Sequence, residues 1–191
     1  MTDEILGKYF VCLMPPKMAE IHQRIRRDLE KKFGEPIDHS GPPHVTVKYI
    51  GPVTRGDHDA LLGNVMTRFA LRSHRSPFHL RITGIDSFDR IEGGGTPLFL
   101  RVECPELHDF RKEMNEGWDP FSQPEKFPDF KPHMTLGYIN RDLTSEEKEW
   151  LAKYEVKLTS ICPTVVLTRN AYENVLVLNL SNDLTAATLE D

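Results

Sequence analysis

The chain has 191 residues and a net charge of −5, with 39% hydrophobic and 28% charged residues, which suits one medium domain or two small fused lobes. No apolar run is long enough to span a bilayer, and no signal-peptide pattern opens the chain. An acidic balance disfavours extended nucleic acid, so any nucleotide partner is expected to be small or held in a locally basic cleft.

In chain order, residues 9–14 read as a strand, aromatic and β-favouring, that Pro15-Pro16 stops. A helix is predicted over 17–33, because Met18, Ile21, Ile25, Leu29 and Phe33 recur at steps of three and four; Gly34 and Pro36 end it. A polar loop over 38–43 leads to a strand over 44–50 that Gly51-Pro52 closes. Asp57 is the expected N-cap of a helix to about residue 71. Residues 77–88 alternate as a strand that breaks at Gly84. Gly93-Gly94-Gly95 reads as a loop tip, since no Lys-Ser/Thr ending makes it a phosphate cradle. Residues 98–102 form the next strand, and Pro105 opens a helix that buries Leu107, Phe110, Met114 and, if it extends so far, Trp118. Residues 119–132 are an expected ordered loop before a strand over His133–Ile139. Thr144-Ser145-Glu146-Glu147 fits a capping box for a helix to about 154. Strands near 163–168 and 175–180 complete the fold, and a polar tail follows from Asn182.

A shift of 89 residues, from 44 to 133, lays the first half on the second. The strand at 9–14 then falls on 98–102, the helix after Lys17 on the helix after Pro105, and the strand after Pro77 on the one near Val165. Self-similarity of this kind predicts a duplicated α+β fold. It would be bilobal and pseudo-twofold, made of two β-α-β-α-β units, with two antiparallel sheets forming a central cleft. One domain over 1–183 is expected, with halves at about 8–88 and 97–181 and a flexible tail over 184–191.

Within that repeat, HVTVKYI from 44 and HMTLGYI from 133 match as His, apolar, Thr, apolar, one variable position, then Tyr-Ile, each directly after proline. The bare His-x-Thr triplet is weak evidence; the extended pattern at equivalent points of both halves is much stronger. His74-Arg75-Ser76 resembles the triplet but lacks an alternating strand and is set aside. Alternation along a strand puts His44, Thr46 and Lys48 on one face and Val45, Val47 and Tyr49 on the other. The tyrosines are therefore expected in the core, and Lys48 on the open face, where it would bind a phosphate or a nucleotide edge or stay solvated. Two imidazoles at one phosphorus suit phosphodiester cleavage, one accepting a proton and the other donating one. Threonine hydroxyls can donate to the non-bridging oxygens. No acidic cluster accompanies the histidines, so neither a metal nor a cofactor is expected.

These segments, with KYFVCLMPP, FKPHMTLGYI and VVLTRNAYENVLVLNL, make the chain resemble the 2H phosphoesterase superfamily, which includes RNA 2′,3′-cyclic phosphodiesterases once called 2′-5′ RNA ligases. The resemblance runs over roughly residues 8–181. It implies His44 and His133 as the catalytic acid/base pair and Thr46 and Thr135 as phosphate-binding. Lys48 departs from the apolar or small residue expected there. The substrate so implied is a nucleotide or short oligonucleotide: a 2′,3′-cyclic phosphate, a 2′-5′ linkage or a cyclic signalling nucleotide. Two other readings stay open, a nucleotide- or RNA-binding module without turnover, and ligation as the reverse reaction.

The remaining side chains carry plainer expectations. Cys12, Cys104 and Cys162 follow no ligand spacing and read as small core residues of a reduced cytoplasmic protein, which is expected to be a monomer. His22, His39, His58, His79 and His108 are expected at the surface or in caps, and Arg169 at the surface. The aromatic run over 121–130 either covers the cleft and stacks a base or simply packs.

Overall fold

The computed structural model describes residues 3–38, 41–72, 75–116, 129–170 and 173–180. Its elements are β1 (Ile5–Leu13), α1 (Met18–Phe33), β2 (Val45–Thr54), α2 (Arg55–Arg72), β3 (Phe78–Ser87), β4 (Thr96–Glu103), α3 (Glu106–Asn115), β5 (His133–Ile139), α4 (Ser145–Lys153), β6 (Leu158–Cys162), β7 (Thr164–Arg169) and β8 (Glu173–Asn179). The strands form an antiparallel sheet in the order β6-β3-β4-β5-β2-β1-β7-β8. At its centre β5 and β2 pair through a single residue couple, Val45 with Met134. The two expected sheets are thus the two halves of one, hinged at that couple.

The order reads the same from either end once β1 is matched with β4, β2 with β5, β3 with β7 and β8 with β6. The pseudo-twofold axis therefore passes between the two His-x-Thr strands. Third strands are exchanged: β3, from the first half, lies beside β4, and β7, from the second half, lies beside β1. α1 packs on β5 and α3 on β2, so these helices also cross the axis.

Alternation decides what faces the helices. Tyr9, Val11 and Leu13 of β1 and Leu98, Leu100 and Val102 of β4 join the apolar core with Ile25, Leu29, Phe110 and Met114. Phe10, Cys12, Phe99 and Arg101 are left on the opposite face. Gly34, in the left-handed conformation at φ 71°, closes α1 by donating its N–H to the Glu30 carbonyl. The Thr144–Glu147 capping box starts α4 as its sequence predicts. Among the described residues no helix is long and apolar enough to cross a membrane.

Three expectations about these elements need correction, and one strand has no counterpart among them. β2 does not stop at Gly51-Pro52, because beyond Val45 its β5 side is unpaired and a proline without an N–H breaks no ladder there. Thr54, not Asp57, caps α2: its hydroxyl accepts the Asp57 N–H at 3.3 Å. β3 runs through Gly84, with a register shift absorbing the irregularity. β6 is an extra five-residue edge strand; its apolar residues Leu158, Ile161 and Cys162 do not alternate, so no strand period announces it.

Candidate functional site

The Val45–Met134 couple brings the two motifs together. Both residues are buried in the core, so the residues flanking them, His44 just before β2 with Thr46 on it and His133 and Thr135 on β5, turn to the other face, where all four are half-buried. Antiparallel register sets His44 opposite Thr135 and Thr46 opposite His133.

The two histidines are held in the same way. His44 Nδ1 bonds the Pro42 carbonyl at 3.0 Å, and His133 Nδ1 bonds the Lys131 carbonyl at 2.7 Å. A carbonyl only accepts, so both Nδ1 atoms carry the hydrogen. In the neutral ring Nε2 is then the basic nitrogen on both sides. The proline before each histidine, seen in the sequence, keeps that approach extended.

Their surroundings differ. His133 is packed edge-on by Phe88, at 4.9 Å between ring centres, and at a tilt by Phe99, at 5.2 Å; Phe88 and Phe99 stack on each other at 4.2 Å. Burial lowers the His133 pKa; the bond to the Lys131 carbonyl opposes this, and the charge of His44 adds to the lowering. On the other side the Cys12 thiol lies beside the Thr46 and Thr168 hydroxyls, and burial pushes it up to about 12, so it stays protonated. Phe10 and Tyr49 contact each other at 5.1 Å.

Lys48 and the tyrosines contradict simple alternation. Lys48 is 4% exposed, whereas Tyr49 and Tyr138 are 42% and 40% exposed. The cause is a bulge in each strand. Cys12 pairs with Thr46 but Val11 with Lys48, skipping Val47; Phe99 pairs with Thr135 but Leu98 with Gly137, skipping Leu136. One extra residue inverts the parity of everything beyond it. Lys48 is therefore not on the open face with Thr46, and the tyrosines are not in the core.

His22, expected at the surface, is 3% exposed on the buried stripe of α1. His58 is half-buried, while His79 and His108 are exposed. Arg169 bonds Glu173 across the β7–β8 hairpin. His39, His74, Trp118 and most of the aromatic run before Phe130 lie outside the described residues. Arg101, which the sequence reading missed, pairs with His133 across β4 and β5 and so shares its face. Its guanidinium lies over Gly84, where a side chain would collide with it, and its buried Nε finds no hydrogen-bond partner among the described residues. The signal was available: Arg101 falls out of phase with Leu98, Leu100 and Val102. Among the described residues no group of three or more His, Cys, Asp or Glu side chains gathers to hold a metal ion.

The family model for the 2′-5′ RNA ligase superfamily matches residues 14–170. The crystal structure of TT0787 of Thermus thermophilus is similar, with a TM-score of 0.67 at 15% identity, over 91% of this chain and 97% of that one. E. coli LigT complexed with NADP+ is similar with a TM-score of 0.54 at 17% identity, over 93% of this chain and 99% of that one. At such identities the two structures show a shared fold. No curated protein matches the sequence.

Proposed function

The chain belongs to the 2′-5′ RNA ligase superfamily, and from that premise we propose that it is a metal-independent phosphodiesterase acting on a small nucleotide or an RNA end. The observation that carries this reading is the matched pair of imidazoles, each with Nδ1–H tied to the carbonyl two residues before it. This leaves Nε2 of both rings for proton transfer. A lone structural histidine needs no such twin.

In the proposed reaction neutral His133 is the base, because its burial and aromatic packing favour the uncharged ring. Its Nε2 takes a proton from water as the oxygen attacks phosphorus. His44, protonated, gives its Nε2 proton to the departing ribose oxygen, so the protons balance over one turnover. Thr46 and Thr135 donate to the non-bridging oxygens as negative charge builds. Each proton transfer supplies about 10²–10⁴-fold. Arg101 is placed for a second anionic group, which fits an oligonucleotide or cyclic nucleotide better than an isolated phosphate. The LigT structure holds NADP+, a ligand of that size and charge.

A set of 2′,3′-cyclic mononucleotides, cyclic dinucleotides and 2′-5′ and 3′-5′ oligonucleotides, assayed in EDTA, tests the reading. Turnover in EDTA that vanishes in His44→Ala and His133→Ala is expected. Activity that EDTA abolishes, or that survives His44→Ala intact, overturns it. Tight nucleotide binding with no cleavage of any member would favour a pure binding module.

A further inference from the structure

The 89-residue offset that relates the two motifs also relates the crossing helices without a gap. It carries Met18 to Leu107, Ile21 to Phe110 and Ile25 to Met114, so the buried stripes of α1 and α3 coincide. Between these apolar positions it carries His22 to Arg111, the one place on the shared stripe where both halves have a long polar donor. The two make similar contacts across the axis, one residue out of step. His22 Nε2 donates to the Thr135 carbonyl of β5 at 2.7 Å, and Arg111 Nη1 donates to the Val47 carbonyl of β2 at 3.3 Å.

The place of these bonds matters because β2 and β5 pair only at Val45 and Met134. Beyond that couple no further pairing is formed between the two strands, so no ladder sets their spacing at Thr46 and Thr135. Each bond ends at a bulge, on the residue that is skipped in β2 and on the one before it in β5. Arg111 also stacks on Phe130 at 4.3 Å, three residues before His133. It therefore touches the chain of both motifs at once. A methionine or leucine at either position would continue the apolar stripe at less cost than a buried polar group. The polar choice specifies geometry, since a donor fixes a carbonyl in distance and direction where an aliphatic chain does not.

We propose that His22 and Arg111 are positioning residues, each holding the His-x-Thr strand of the opposite half so that both imidazoles and both hydroxyls converge on one phosphate. The inference rests on the phosphodiesterase reading of the same site. Neither side chain takes part in proton transfer. They act through Thr135, Val47 and the bulged backbone, where a displacement of about 1 Å can cost 10²-fold in rate.

The test compares His22→Leu, His22→Gln, Arg111→Met and Arg111→Lys with the wild type on whichever nucleotide is cleaved, with His44→Ala as reference. Loss of kcat by about 10–100-fold in His22→Leu and Arg111→Met, with KM changed less than about threefold, is expected. His22→Gln, which keeps an N–H donor near the Nε2 position, should regain most of that loss. Unchanged kcat in Arg111→Met, or equal loss in His22→Gln and His22→Leu, overturns the proposal. Arg111 is only half-buried on α3, so its variants stay informative if His22→Leu fails to fold. If His44→Ala is inactive while the tether variants are unaffected, this inference fails alone; if His44→Ala is fully active, the phosphodiesterase reading fails with it.

Discussion

β2 and β5 carry the same motif at the same level of exposure, with the same bulge and the same bond from histidine Nδ1 to the carbonyl two residues back. They differ in what lies beside them. β5 has its histidine packed by two stacked phenylalanines with an arginine in register, whereas beside β2 a buried thiol lies against Thr46 and a phenylalanine–tyrosine pair sits farther along. Duplication thus supplies two matched histidines, and the divergent neighbours make their surroundings unequal. Unequal surroundings favour unequal protonation, which suits a pair in which one imidazole accepts a proton and the other donates one.

Removing either imidazole should have the largest effect. His44→Ala and His133→Ala are each expected to lower kcat/KM by about 10²–10⁴-fold in steady-state assays. A large loss in one and none in the other would break the equivalence. Next come the hydroxyls: Thr46→Val and Thr135→Val should each lower kcat by about 10²-fold with little change in KM, as a donor used mainly in the transition state does.

The difference between the strands is sharpened by pH. A base with a lowered pKa loses activity only when protonated, so kcat/KM should fall on the acid side with an apparent pKa below the ordinary imidazole value of about 6.5. Phe88→Ala admits water to His133 and should move that limb up toward the ordinary value. Tyr49→Ala, on the other strand, should leave it in place. The same shift bears on stability: the folded state holds His133 neutral where the unfolded chain would protonate it. Its contribution is full above the unfolded value and is lost as pH falls through the folded one. The smallest effect concerns Cys12. With its thiol pushed up to about 12 and buried, iodoacetamide at about pH 8 should leave activity unchanged, which a timed inactivation assay checks.

The sequence carried the architecture further than its local details. The apolar stripes of α1 and α3 and the core residues of β1 and β4 were readable because burial on one face imposes a period. The repeat then placed the motifs on equivalent strands. Bulges leave no mark in a single strand's composition, and so Lys48 and the two tyrosines were assigned to the wrong faces. Arg101 and the Phe88–Phe99 stack come to His133 through strand pairing from β3 and β4, a long-range relation that no window of sequence contains. His22 illustrates the same limit, since a histidine on an apolar stripe looks peripheral until its partner in another half is known. β6 was missed because an edge strand with its apolar residues out of phase owes its existence to a neighbour.

The central claim is that His44 and His133 address one phosphate, and a titration of histidine-labelled protein by NMR tests it most directly. The nucleotide product of whichever substrate is cleaved would be added in EDTA while the imidazole resonances of both residues are followed. Both should shift together along one saturation curve. Movement of one imidazole alone, or of neither while binding is saturated, would contradict it.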